Sequence, residues 1–262
     1  MSAVDAATPS SVRPLLSIVD LRVRIAGSQI LQGVSFDVPA TGVTVLLGRN
    51  GVGKSTTLKA VLGLTPAGSQ VTGEVLFDGV PTAGQATHHL VRQGLGYVPE
   101  DRGIFAGLTV AENLKLAERT SSSLRSEASG RAEPDYDTAY QLFPELRQRG
   151  RQRAGTLSGG QQQMLAIARV LLNPNRLLLV DEPTKGLAPR LVTEVADVVT
   201  RIAESVPILL VEQNLALVRR VGRDAVVLAS GAVAYSGPIG ALLDDEERTR
   251  SLLGVGHHRA AA

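Results

Sequence analysis

Three short runs in this chain are apolar at every position but Thr44: Val43-Thr44-Val45-Leu46-Leu47, Leu177-Leu178-Leu179-Val180 and Ile208-Leu209-Leu210-Val211. Runs of this length without alternation read as strands buried on both faces, the kind found in parallel sheets covered by helices. Each run ends in a polar cluster: Gly48 to Thr56 after the first, Asp181-Glu182-Pro183 after the second, Glu212-Gln213-Asn214 after the third. The first run breaks into glycines and restarts as Thr57-Leu58-Lys59-Ala60-Val61-Leu62, which gives the order strand, loop, helix.

Elsewhere the pattern changes. Leu16–Ile25, Ile30–Val38 and Val71–Phe77 alternate or run apolar, with turn signals at Ala26-Gly27 and Asp78-Gly79, and predict a small, largely antiparallel sheet around the loop-bearing strand. Leu95–Val98 is a further short strand, stopped by Pro99. Thr109 is placed to cap a helix with apolar positions Val110, Leu114 and Leu116, and Asp137–Phe143 forms another. Ser158 caps a third, whose apolar residues are Met164, Leu165, Ile167, Ala168, Leu171 and Leu172. Near the end, Ala225–Ala229 and Ala232–Tyr235 flank Ser230-Gly231 as a hairpin, and Ile239–Leu243 is a short helix before the acidic cluster Asp244–Glu247. Residues 1–15 read as a disordered tail, and Ser121–Pro134, with five serines and four charges, as an exposed excursion.

The residues after the first strand, Gly48-Arg49-Asn50-Gly51-Val52-Gly53-Lys54-Ser55-Thr56, match G-x-x-x-x-G-K-[ST] in the strand-to-helix setting that the pattern requires. Glycines let the backbone curl with its amides inward, and the next helix points its positive end at the same spot. Lys54 adds a mobile cation for β- and γ-phosphates, Ser55 a small hydroxyl for Mg²⁺, and Thr56 a donor on the α-phosphate side. The stretch Leu157-Ser158-Gly159-Gly160-Gln161 opens a helix whose first amides the glycines leave uncovered, a second anion site. Asp181 and Glu182 arrive at the carboxyl edge of the sheet, where α/β proteins bind ligands: Asp181 can hold Mg²⁺ through water, and Glu182 can polarise an attacking water.

Composition narrows the partners. The 262 residues carry 27 basic and 25 acidic side chains, a net charge of +2, with no Trp and 3% aromatics, which argues against a base-stacking nucleic-acid surface. There is no Cys, so disulfides, thiolate metal sites and a cysteine nucleophile are excluded. No apolar run approaches the roughly 20 residues that span a bilayer, so any membrane role runs through a partner. Arg147, Arg149, Arg151 and Arg153 read as a solvated face, and His257-His258 as solvated tail residues.

Taken together, a phosphate loop, LSGGQ at 157–161 and an apolar strand ending in DEP at 181–183 resemble the nucleotide-binding subunit of ABC transporters over about residues 16–255. The resemblance implies an α/β P-loop NTPase (ABC ATPase) fold with a RecA-like core sheet flanked by helices, an N-terminal antiparallel β subdomain, a helical subdomain over about 102–165, and tails at 1–15 and 256–262. Two such subunits close head to tail around two ATP molecules, so Leu157, Ser158, Gly159, Gly160 and Gln161 would serve the partner's nucleotide. Finer residues resemble the ATPases of branched-chain amino acid importers, the shorter of the two in that system: GRNG at 48–51, VPEDRGIF at 98–105 with LTVAENL following, DEPTKGLAP at 181–189 and VEQN at 211–214. The subunits of urea and amide importers are very similar.

The resemblance assigns the catalytic positions to Glu182, Gln213 and Glu100, and metal ligation to Ser55, Asp181 and Glu100. It also marks departures from the general pattern. Glu100 stands where most members have Gln, Gln213 where most have a switch His, and Ile25 where an aromatic stacks on adenine; the usual Asp of the loop is missing from Gly186–Pro189. Glu100 brings a negative charge near the γ-phosphate, and Gln213 can donate there without titrating. The expectation is a slow or partner-dependent ATPase at the cytoplasmic face of the membrane. Its implied partners are a second ATPase subunit, integral permease subunits, with Asp101–Asn113 near the receiving groove, and indirectly an extracytoplasmic solute-binding protein, with no nucleic acid. A soluble ABC ATPase that scaffolds assembly, as in iron–sulfur cluster formation, is the alternative of another class; a role in DNA repair or translation lacks the zinc insertion, coiled coil or second ATPase domain it needs.

Overall fold

The computed structural model describes residues 13–118 and 134–254. Six strands make the central sheet: β3 (Val43–Leu47), β6 (Leu95–Val98), β7 (Leu177–Asp181), β8 (Ile208–Val211), β9 (Asp224–Ala229) and β10 (Ala232–Pro238), in the order β10-β9-β3-β8-β7-β6. All neighbours are parallel except the terminal hairpin β9–β10. Every residue of β3, β7 and β8 is buried, as their unbroken apolar runs require. A separate antiparallel sheet holds β1 (Leu16–Ile25), β2 (Ser28–Val38), β4 (Gln70–Phe77) and β5 (Val80–Pro81), in the order β2-β1-β4-β5.

Side chains of the central sheet alternate between two cores. Val45, Leu178, Leu210 and Val227 point into the first, and Leu46, Leu179, Leu209 and Val226 into the second. The second core is closed by the antiparallel sheet, by α1 (Lys54–Val61) through Leu58 and Val61, and by α2 (Thr87–Arg92) through Leu90. The first is closed by helices alone: α3 (Val110–Ala117), α4 (Tyr136–Leu142), α5 (Pro144–Gln148), α6 (Gly159–Leu171), α7 (Pro189–Ala203), α8 (Leu215–Val221) and α9 (Ile239–Leu243).

The turn chemistry acts as the sequence predicts. Ala26-Gly27, Asp78-Gly79 and Ser230-Gly231 all sit at positive φ, the conformation that joins two antiparallel strands tightly. Thr109 caps α3 in a full capping box with Glu112. The acidic cluster proves to be a helix start: Asp245 accepts from the Arg248 amide and caps α10 (Glu246–Leu253), with Glu246 and Glu247 in its positive first turn.

Two expectations are corrected. Leu15 belongs to the fold and not to the tail: it is 8% exposed, its amide donates to Val38 O and its carbonyl accepts from Asp78 N. Leu116 is not a core position of α3, being 59% exposed, because at about 100° per residue it lies nearly opposite the face set by Val110 and Leu114. Of the excursion at 121–134 and the tail at 1–15, residues 121–133 and 1–12 lie outside the described residues, as do His257-His258.

The face assignment is testable. Leu114→Ala empties a fully buried position and should cost about 2–5 kcal/mol. Leu116→Ala should stay within about 0.5 kcal/mol, both read from urea unfolding midpoints at constant slope. Equal losses would place Leu116 in the core after all.

Candidate active site

Adjacent strands β3, β8 and β7 run parallel, so their carboxyl ends deliver three polar clusters to one edge of the sheet. From β3 comes the loop Gly48–Gly53. Gly48 at φ +142° passes so near the neighbouring strand that a Cβ would lie 2.5 Å from Leu228 O, and one on Gly53 at φ +106° would strike Leu31. The loop therefore closes tightly only with glycine at both places. Lys54 is 5% exposed and turns back along the loop, donating from Nζ to Gly48 O at 2.9 Å and to Arg49 O at 3.1 Å. Burial pulls its pKa down, and the charges of Glu182 and Asp181 pull the other way. Thr56 is half-buried in the first turn of α1.

From β7 come the two carboxylates. Asp181, 1% exposed, accepts from Ser55 Oγ at 3.0 Å. Burial pushes its pKa up to about 6; the Ser55 hydrogen bond opposes this, while Glu100 and Glu182 add to it. The Tyr97 hydroxyl, beside Asp181, is pushed above its ordinary value, first by burial and then by that negative charge. Glu182 is 8% exposed and takes φ +44°, a left-handed conformation that costs a non-glycine residue on the order of 1–3 kcal/mol. That turn aims its side chain at the loop: Oε1 lies 3.7 Å from Lys54 Nζ and accepts from Gln213 Nε2 at 2.5 Å.

From β8 comes the link between them. Gln213 Nε2 also donates to Asn50 Oδ1 at 2.6 Å, so one amide group joins the phosphate loop to Glu182. Gln213 is itself held by a group to which the sequence reading assigns no role. Glu212, 3% exposed, accepts at Oε2 from the amides of Gln213 (2.7 Å) and Asn214 (2.8 Å), and at Oε1 from the Thr184 amide (3.1 Å) and hydroxyl. An acid at the end of a fully buried strand must find such donors, and that was the available signal.

The other expected residues are distributed as follows. Glu100, beyond the end of β6, lines with Asp101, Lys59 and Asp181 a cleft of about 430 Å³, and its carboxylate is bound by Lys185 Nζ. Ile25 ends β1, half-buried against the same core as Val52, and makes no polar contact with the loop. Leu157 is buried; Ser158 Oγ accepts from Gln161 N at 3.3 Å and Gln161 Oε1 from Ser158 N at 3.1 Å, a capping box that leaves Ser158 exposed at the start of α6. Gly160 is buried under Leu191, where a Cβ would lie 2.7 Å from a methyl, and Gln161 Nε2 donates to Glu145 at 2.9 Å. Among the described residues no hydrogen bond or ion pair joins Leu157–Gln161 to the phosphate loop, and no group of three or more His, Cys, Asp or Glu could hold a metal ion. The Ser55 hydroxyl and Asp181 carboxylate are hard oxygen donors, the set that suits Mg²⁺ completed by water and phosphate.

The chain is similar to known proteins. The family model for ABC transporters matches residues 31–185. A probable branched-chain amino acid transport ATP-binding protein of Archaeoglobus fulgidus is 35% identical over 92% of this chain and 99% of its own length. A high-affinity branched-chain amino acid transport ATP-binding protein of Pseudomonas aeruginosa is 36% identical over 86% and 94%. Among solved structures, a nucleotide-free ATP-binding cassette from an ABC transporter superposes with a TM-score of 0.74 at 23% identity, over 94% of this chain and all of that one. The ATP-binding subunit of another ABC transporter gives 0.70 at 27%, over 89% and 94%. With the phosphate loop, the carboxylate pair and the capped LSGGQ helix in these positions, the chain belongs to the ABC transporter family, as an ATP-binding ATPase subunit.

Proposed function

We propose that this chain powers an importer of branched-chain amino acids from the cytoplasmic face of a membrane, bound to integral permease subunits that receive solute from an extracytoplasmic binding protein. The substrate class rests on two branched-chain relatives that this chain matches over 99% and 94% of their own length, against 85–86% for the phosphonate and 56–60% for the molybdenum import relatives. Among the described residues no helix is long and apolar enough to cross a membrane, so attachment runs through the permease.

The observation that carries the chemistry is the bridge Asn50–Gln213–Glu182, which fixes a buried carboxylate oxygen against the phosphate loop. In the proposed site the amides of Gly48–Gly53, with Lys54, hold the β- and γ-phosphates, Thr56 donates on the α-phosphate side and Ile25 gives adenine an apolar contact. Ser55 and Asp181 would hold Mg²⁺, with Glu100 as a further oxygen donor, and the ion would neutralise charge on the phosphates. Glu182 takes the proton of the attacking water, and Gln213, on releasing Asn50, donates to the γ-phosphate while keeping its bond to Glu182. Exposed Ser158, with Gly159 and Gly160 behind it, serves the nucleotide of a second ATPase subunit, either another copy or a related chain. For the permease, the loop after β6 is well suited. Asn113, fully buried, donates to Phe105 O and accepts from Phe105 N, which holds Phe105 half exposed with Arg169 stacked 5.1 Å from its ring.

Glu182→Gln should lower phosphate release by about 10²–10⁴ while ATP binding persists, measured on the chain reconstituted with its permease subunits. Undiminished hydrolysis would remove Glu182 as the base. ATP binding without turnover by the wild-type chain under every condition, permease included, would favour the scaffold reading instead.

Glu212→Gln tests the support beneath Gln213. Its amide NH₂ must face donors, so the variant should lose about 1–3 kcal/mol of stability and show a lower kcat with KM for ATP less affected. An unchanged kcat would separate Glu212 from the positioning of Gln213.

A further inference from the structure

Resting on the assignment of Glu182 and the phosphate loop above, we infer that Lys185 is a positioning residue of the ATPase site, a built-in cation that offsets the charge of Glu100 and Glu182 where the terminal phosphates bind. Its place follows from local geometry. The left-handed turn at Glu182 is closed by the Lys185 amide donating to Glu182 O at 3.1 Å, which brings a side chain three residues on back over the carboxylate. There the Lys185 ammonium binds Glu100 Oε1 and stands 3.5 Å from Glu182 Oε2. The two oxygens of Glu182 thus face different lysines, Oε1 toward Lys54 and Oε2 toward Lys185.

The charge pattern says why a cation is needed. Glu100, Asp101 and Asp181 line one cleft at the sheet edge with Lys59 and Lys185, Glu182 lies 3.5 Å from Lys185, and the nucleotide adds further negative charge there. Like charges this close repel, and an acid facing a polyphosphate weakens its binding. Among the described residues Lys185 is the only cation paired with Glu100, while Lys54 is committed to its own loop and to Glu182. The pair Glu100–Lys185 is therefore neutral as a unit, and the site tolerates an acid at position 100 because Lys185 accompanies it. Lys185 and Glu100 are 58% and 41% exposed in the single chain, so the effect is screened by salt and belongs to binding more than to folding.

The test is a charge-swap cycle on the full chain, read by equilibrium binding of a fluorescent ATP analogue with Mg²⁺ and by steady-state hydrolysis. Lys185→Met should raise Kd and KM about tenfold, equivalent to about 1.4 kcal/mol, with kcat falling less than about threefold. Lys185→Arg should bind within about threefold of wild type, because the charge is kept. Lys185→Met combined with Glu100→Gln should recover most of the lost affinity, and the Lys185→Met defect should shrink as salt rises from about 0.05 to 0.5 M. Tight binding by Lys185→Met, or a double variant as weak as Lys185→Met, overturns the inference. Measuring the same binding cycle in a Glu182→Gln background keeps the two readings apart: hydrolysis that survives Glu182→Gln condemns the base assignment, whereas the Lys185 effect on binding stands or falls without turnover.

Discussion

Burying charge at the end of an apolar sheet is the constraint on which the rest of this molecule depends. Asp181, Glu182, Glu212 and Lys54 are each less than a tenth exposed, and an isolated ion so placed is far more costly than the fold can bear. Each is satisfied by a neighbour that is itself part of the site. Asp181 takes the Ser55 hydroxyl, Glu182 takes Gln213 and two lysines, Glu212 takes four donors from Thr184, Gln213 and Asn214, and Lys54 takes carbonyls of its own loop. Removing one member leaves its partners unsatisfied, so the site behaves as one network and not as independent contacts.

The two-core arrangement serves that network. Strands with both faces buried cannot shift register without exposing apolar side chains to one core or burying polar ones in the other, so the three strand ends stay aligned. The helical side and the β side then differ in what they can do. The β side closes on α1 and fixes the phosphate loop, while the helical side carries α6 and the loop after β6, held to one another by Arg102 donating to Gln162 at 2.9 Å and Arg169 donating to Gly103 O. The loop and α6 are thus joined by hydrogen bonds at both ends of that helix.

Much of this was legible in the sequence because it is local. The phosphate loop, the buried strands, the Thr109 and Ser158 caps and the glycine turns are each decided by residues within a few positions of one another. What escaped was set at long range or was too short to declare itself. The four donors to Glu212 come partly from Thr184 on the neighbouring strand's loop, and the grip of Lys185 on Glu100 spans two strands of the sheet. Of the helices beyond the expected set, α8 and α10 have only seven and eight residues, so periodicity is weak in them. In contrast, α7 had a readable signal in Pro189 at its first turn and a buried stripe of Val195, Val198, Val199 and Ile202.

The exposed end of α6 carries the argument from one chain to two. The start of α6 ties the Ser158 and Gln161 amides into a capping box, shields Gly160 under Leu191 and leaves Ser158 in solvent, open to a group from outside the chain. Among the described residues its own phosphate loop shares no hydrogen bond with it. A second phosphate-bearing surface, turned to face it, would supply the anion that a positive helix terminus favours, and the first loop would receive the same service in return. Reciprocity of that kind makes the bound nucleotide part of the interface. ATP would then hold two subunits together until its terminal phosphate is cut beside Glu182.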